Sequence, residues 1–261
     1  MGGDLRDAHV NDRAAGTHHK RGVKGGARMA NPDLVKQFGA RLLGIYTGGV
    51  LTKLIDIGYQ VGLFEASKSG AATSEELAER AGLKERYVRE WLGAMTSSGI
   101  YTYEPETRKY TLPDEHAALL TGDGPTNLTP MSRIVTHFGT LLQRLVACFR
   151  EVGGIPYSAY RPVFTQCMDD AWRRIYDHQL ITGFIPAVPG LAEALRDGIR
   201  VLDIGCGSGH AMNVLARDFP RSTFVGYDIA EDAIADARAE AGNLALEHTR
   251  FDVADVACLP T

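Results

Sequence analysis

Near the end of the chain stands "VLDIGCGSGH", Val201 to His210, an apolar run followed by glycines at 205, 207 and 209. A strand, a tight turn and a helix opening near Ser208 are predicted there. Glycine lets backbone turn sharply and approach a ligand closely, because no Cβ intervenes. The free N–H groups and positive dipole end of a starting helix face the same place. A second apolar run, "STFVGYD", ends on Asp228. A carboxylate at that strand end can accept both hydroxyls of a ribose. The two runs together predict a nucleoside site.

Charge and spacing then separate two classes of nucleoside. A dinucleotide fingerprint G-x-G-x-x-G would put its third glycine at position 210, where this chain has His210. Asp203, at the mouth of the first strand, would repel a pyrophosphate but suits a ligand carrying an ammonium. S-adenosylmethionine has an ammonium, a sulfonium and a ribose, and no phosphate. The expected cofactor is therefore S-adenosylmethionine. Cys206 is read as a small packing residue whose backbone lines the turn.

The elements that must position this turn were sought along the 261 residues. Residues 1–30 are glycine-rich, with few large apolar side chains, and are expected to be a disordered leader. No metal is assigned to His18 and His19. Asn31 and Pro32 open a helix with Leu34, Phe38, Leu42, Ile45 and Tyr46 at helical spacing. Gly48-Gly49 is expected to interrupt it before a second apolar helix ending near Phe64. Helices this apolar need a partner, from their own chain or a second copy.

Thr73, Ser74 and Glu76 resemble a capping box. A helix to Gly82, a second from Lys84 to Ser98 and the hairpin "IYTYEPETRKYTL" then make a winged-helix pattern. From Ala71 to His116 nine acidic residues oppose six basic ones. DNA recognition needs a basic footprint, so nucleic acid is not expected as a partner. A long helix is expected from about Leu128 to Val152 and another from Phe164 to Phe184. A short helix, Gly190 to Arg196, precedes the strand–helix alternation that starts at Ile199. Tyr157, Tyr160, Trp172, Tyr176 and His178 are candidates for a lid or substrate wall.

The net charge of -4 gives no general attraction to polyanions. No apolar run approaches the ~20 residues of a membrane span, so no membrane association is expected. The four cysteines are scattered, without metal-site spacing, which fits a reducing cytoplasm and no metal.

"VLDIGCGSG", "FVGYD" and "FDVADVACLP" together resemble the first half of a class I S-adenosylmethionine-dependent methyltransferase. The helices and winged-helix module before them resemble the N-terminal domain of small-molecule O-methyltransferases. This resemblance implies an α/β fold: an N-terminal helical winged-helix domain followed by the first half of a Rossmann-like sheet. The implied domains are 31–122, a helical linker or lid at 123–198, and a partial cofactor-binding domain at 199–261. It further implies that Asp203 faces the methionine moiety and that backbone from Gly205 through Cys206 and Gly207 to Gly209 lines the cofactor. Asp228 would take the ribose and Ile229 the adenine face. Asp252, placed after a third strand "LALEHTRF", would bond the adenine amino group, with Val253 beside it. Ala230 stands where the family often has a capping Ser or Thr. The implied partners are a small-molecule methyl acceptor and a second copy, in a homodimer through the N-terminal helices. No catalytic residue is assigned.

The family sheet continues past the third strand, so a truncated chain is expected, one that keeps part of the cofactor cleft but little of the substrate-facing half. Two other functions stay open: a winged-helix regulator with a ligand-sensing domain, and a noncatalytic dimerisation partner.

Overall fold

The structure, a computed structural model, describes residues 30–151 and 153–258. The leader expected at 1–30 falls, but for Ala30, outside those residues. The chain divides into two units, 1–44 and 45–261.

Within the first unit, the described residues open α1 (Pro32–Gln60). Asn31 caps it, its side-chain oxygen accepting the N–H groups of Asp33 (2.9 Å) and Leu34 (3.4 Å). Leu34, Val35, Phe38 and Leu43 are exposed. The helix runs without a break through Gly48-Gly49, contrary to expectation. Each interior glycine costs about 1 kcal/mol of helix propensity. That is small once a ladder of 29 residues has nucleated.

The second unit begins within α1 and continues through α2 (Leu63–Ser67), α3 (Ser74–Ala81), α4 (Glu85–Ser97) and the hairpin β1 (Thr102–Glu104) and β2 (Lys109–Thr111). The capping box is present, Thr73 and Glu76 each bonding the other's backbone N–H. Tyr103 faces Tyr110 across the antiparallel hairpin. Phe64, Trp91 and Tyr101 meet edge-on beneath it, and the Trp91 indole donates to the Leu54 carbonyl at 2.7 Å. Leu77, Val88, Leu92 and Met95 complete this core.

A helix without a sequence counterpart, α5 (Asp114–Leu120), follows. The single long helix expected from Leu128 is two, α6 (Thr129–Thr140) and α7 (Leu142–Cys148). They break at Leu141, whose backbone (φ -96°, ψ 0°) lies at the shallow edge of the helical region. Next is α8 (Val163–Gln179), which loosens into a wide π-type turn at Leu180–Phe184 before the short α9 (Ile185–Ala187) and α10 (Leu191–Asp197).

The α/β part is β3 (Arg200–Ile204), α11 (His210–Asp218), β4 (Thr223–Asp228), α12 (Glu231–Asn243) and β5 (Thr249–Val253). The strands are parallel, in the order β3-β4-β5. Met212, Leu215, Phe224, Ile234, Ala237 and Phe251 form the core between sheet and helices. Leu202 and Ile204 on β3 are more than half exposed. The third strand lies later than expected, because Ala245 takes a left-handed backbone (φ 53°) and turns the chain before His248. Asp252 is therefore inside β5 rather than after it.

A Cβ on Gly58 would come within 2.5 Å of the Trp91 ring and 2.8 Å of Phe64, whereas one on Gly48 meets nothing within 4 Å. Gly58→Ala should therefore lower stability by about 1–3 kcal/mol through overpacking. Gly48→Ala should raise it by about 0.5–1 kcal/mol. Urea unfolding checks both signs.

Candidate functional site

The glycine turn is held at the end of β3 by its neighbours. The N–H of Gly205 donates to the Tyr227 carbonyl at 2.7 Å, and the N–H of Gly207 donates to Asp228 Oδ2 at 2.9 Å. Asp228 Oδ1 also accepts the Ala230 N–H at 2.8 Å, while Ala230, the N-cap of α12, has no side-chain oxygen to offer the helix. One carboxylate thus ties together the turn, the end of β4 and the approach to α12. Gly205 and Gly207 have φ of 80° and 55°, with open space where a Cβ would stand. Gly209 differs: its Cβ would strike Phe251 at 2.5 Å and Ala237 at 2.7 Å, so it serves packing behind the turn. It precedes α11, which starts at His210, two residues after the expected Ser208.

Over this turn lies a cavity of about 300 Å³. Asp203, Gly205, Cys206, Gly207 and Asp228 line one side, with Ser208 and His210. The other side is α8, through Phe164, Met168, Asp169, Trp172, Arg173 and Tyr176, with Tyr157 at the margin. Trp172 and Tyr176 stack with ring centroids 5.7 Å apart.

Of the residues singled out from sequence, Gly209, Ile229, Asp252 and Val253 lie outside this lining, as do Tyr160 and His178. Asp252 accepts from Arg250 at 2.6 Å and Arg238 at 3.5 Å. Tyr160 packs on Phe138 and Phe164. The His178 ring turns back to the Arg174 carbonyl of its own helix.

The electrostatics of the cavity are one-sided. Burial, and then the charge of Asp228, raise the Asp203 carboxyl above its usual range. Burial, then Asp203 and Asp228, push the Cys206 thiol up to about 12, so it stays protonated at neutral pH. Tyr176 is raised by burial and by Asp203. Arg173 is the guanidinium in the lining, and it is engaged by Asp169 (3.0 Å) and Glu240 (2.5 Å). Asp203 and Asp228 therefore face the cavity over the glycine turn with, among the described residues of the lining, no cation free to answer a phosphate. A cationic nucleoside fits this donor set, and a pyrophosphate does not.

Trp172 and Tyr176 of α8, two of the wall candidates, line the cavity. The charged residues of the same helix went unread from sequence, although Asp169, Arg173 and Asp177 recur at intervals of four. That spacing puts three charges on one helical face. It was the available signal.

Because Asp203 binds its proton more tightly in the folded chain than in the unfolded one, its contribution to stability is present at acid pH. That contribution is lost as pH rises through the raised value. Asp203→Asn removes the repulsion at neutral pH, so the free protein should melt about 1–3 °C higher. The native chain should close this gap on acidification, as followed by calorimetric melting.

Residues 49–122 match the family described as Rv2258c-like winged HTH domain, and residues 195–261 the family described as methyltransferase domain. A trans-aconitate 2-methyltransferase of Variovorax paradoxus (strain S110) is 38% identical over 63 residues, 24% of this chain and 22% of that protein. A fatty-acid O-methyltransferase of Mycolicibacterium smegmatis is 37% identical over 65 residues, 25% of this chain and 24% of its own. The matched stretch spans about a quarter of the length of these curated relatives.

Among solved structures, the mitomycin 7-O-methyltransferase MmcR superposes with a TM-score of 0.63 at 16% identity, covering 86% of this chain and 68% of its own. Human N-acetylserotonin methyltransferase, solved in complex with SAM, gives 0.56 at 16% identity, covering 90% of this chain and 69% of its own. These likenesses are of fold. Residues 49–122 are thus similar to winged HTH domains of the Rv2258c-like kind and residues 195–261 to a methyltransferase domain, on a fold shared with these solved methyltransferases.

Proposed function

We propose that this protein binds S-adenosylmethionine in the cavity over the glycine turn and serves methyl transfer to a small molecule. The observation that carries the proposal is the pair Asp203 and Asp228, two carboxylates facing one cavity with no free cation among the described residues of its lining. Asp203 would meet the ammonium of the methionine moiety. The backbone from Gly205 through Cys206 and Gly207 to Gly209 would bend around the ligand. Asp228 would accept the ribose hydroxyls with lone pairs its two backbone donors leave free. Ile229, Asp252 and Val253, at the ends of β4 and β5, are proposed for the adenine.

When bound, the cofactor supplies a methyl group already activated on sulfur. The chain's own work is then alignment and exclusion of water, which Met168, Trp172 and Tyr176 are placed to do. The similar stretches of a trans-aconitate 2-methyltransferase and a fatty-acid O-methyltransferase support such an acceptor. The proposed domain limits are 31–122, 123–198 and 199–261. Cytoplasmic residence is supported by the four free cysteines and by the lack, among the described residues, of any helix long and apolar enough to cross a membrane.

A homodimer is part of the proposal. Phe38 and Leu43 on α1 are exposed, and a separate apolar groove of about 470 Å³ is lined by Ile55, Leu119, Leu128, Met131 and Val135. A second copy would cover such surfaces.

Calorimetry with S-adenosylmethionine should show one site with a dissociation constant of about 1–100 μM, weakened at least tenfold (about 1.4 kcal/mol) by Asp228→Ala. Absence of binding by chain that melts cooperatively would overturn the proposal. Sedimentation equilibrium should give the mass of two chains, and Phe38→Glu with Val135→Glu should shift it toward one.

A further inference from the structure

The face of α8 turned to the glycine turn carries a closed ionic network. Arg173 holds Asp169 through Nε (3.0 Å) and Nη2 (3.2 Å), and Asp169 in turn accepts the Ser208 hydroxyl of the glycine turn. Arg173 Nη1 donates to Glu240 Oε1 of α12 at 2.5 Å. His210, the first residue of α11, lies between them and is largely buried. Its Nδ1 is 2.8 Å from Glu240 Oε1 and its Nε2 is 2.8 Å from Asp177 Oδ1 of α8. Asn213 donates to the other Glu240 oxygen at 3.0 Å. Arg173 Nη1 also stands 2.6 Å from His210 Nδ1.

Both carboxylates at the ring are answered in one protonation state, in which Arg173 Nη1, as a second donor, must serve Glu240 rather than His210 Nδ1. As an imidazolium, His210 donates from both nitrogens to carboxylates on two different helices. As a neutral ring it keeps one N–H. If that proton is on Nε2, the bare Nδ1 faces a carboxylate oxygen and only Arg173 can donate to it. If it is on Nδ1, Asp177 is left without a donor. Either way a charge-assisted bond to α8 or α12 is lost. The groups facing the ring are Asp177 and Arg173 from α8 and Glu240 from α12, with Asp169 one bond further off. Deprotonation leaves three carboxylates against one guanidinium.

We infer that Arg173 and His210 are positioning residues that fasten α8, the aromatic wall of the cavity, onto the glycine turn, and that the fastening is weakened when His210 loses its proton. Burial alone would make the imidazole less basic, but the bonds to Glu240 and Asp177 outweigh it and raise its pKa. Burial would likewise raise the Glu240 carboxyl, yet the bonds from His210, Arg173 and Asn213 hold it down to about 2. The sign is fixed by these directions. The part of the grip that His210 makes is full below the ordinary imidazole range and is lost as pH rises through the raised value, leaving the Arg173 ion pairs. The consequence for ligand affinity rests on the cofactor assignment proposed above, while the grip itself does not.

The test uses the full chain and two readouts between about pH 6 and about pH 8.5. The first is amide hydrogen exchange along α8 without ligand, corrected for intrinsic rates. Protection should fall by about tenfold with rising pH in the native chain, the loss of one charge-assisted bond. It should stay flat and low in His210→Gln, and its midpoint should move to lower pH in Asp177→Asn. The second is the affinity for S-adenosylhomocysteine, which lacks the sulfonium charge and so isolates the wall from direct attraction. It should weaken about tenfold over the same range in the native chain alone. Protection in α8 that is equally pH-dependent in native and His210→Gln chains overturns the inference. A His210-dependent change in protection with no ligand binding at any pH upholds the grip and removes the cofactor assignment. Should His210→Gln fail to fold, the displaced midpoint in Asp177→Asn decides alone.

Discussion

Asp203 and Asp228 are brought to one cavity by the pairing of two parallel strands, and like charges in a half-buried place repel. Asp203 aligns with Gly226 in the register of β3 on β4, and Asp228 ends the second strand. Nothing in the lining neutralises them, since Arg173 is taken up by Asp169 and Glu240. A folded protein keeps such an arrangement at a cost in stability, which is common where a ligand supplies the missing charge. The glycine turn follows the same logic. Its backbone is bent into left-handed conformations, with open space above it, and Asp228 holds it by the Gly207 amide.

The rest of the second unit serves this place. The core of Met212, Leu215, Phe224, Ile234 and Phe251 sets the height of the strands. Gly209 lets α11 and α12 close over Phe251. Helix α8 lies outside the strand–helix alternation and still closes the cavity, joined to the turn through Ser208 and to α12 through Glu240. The wall is therefore fixed by charge rather than by apolar packing alone, and charge responds to pH where packing does not.

How much of this could be read in advance followed the range of the interactions. The turn, the capping box at Thr73 and the hairpin from Tyr103 to Tyr110 depend on neighbours a few residues away, and all were legible. The persistence of α1 through Gly48-Gly49 was not, because a local penalty of about 1 kcal/mol per glycine says nothing of a long ladder on either side. The break at Leu141 and the delay of β5 past Ala245 depend on backbone states that composition does not announce. In the cavity, Asp203, Cys206 and Asp228 were found by motif. Arg173, Asp169 and Glu240 were missed because their partners lie on three elements far apart in sequence. His210 was noticed for the glycine it replaces, and its two carboxylate partners emerged only from the fold.

The central claim is that this cavity selects positive charge and rejects phosphate. The most direct measurement is a pair of calorimetric titrations of the same chain near pH 7, one with S-adenosylmethionine and one with NAD. The account predicts a saturable heat for the sulfonium ligand in the micromolar range and none for the dinucleotide up to about 1 mM. Tight uptake of NAD with no response to S-adenosylmethionine would contradict it.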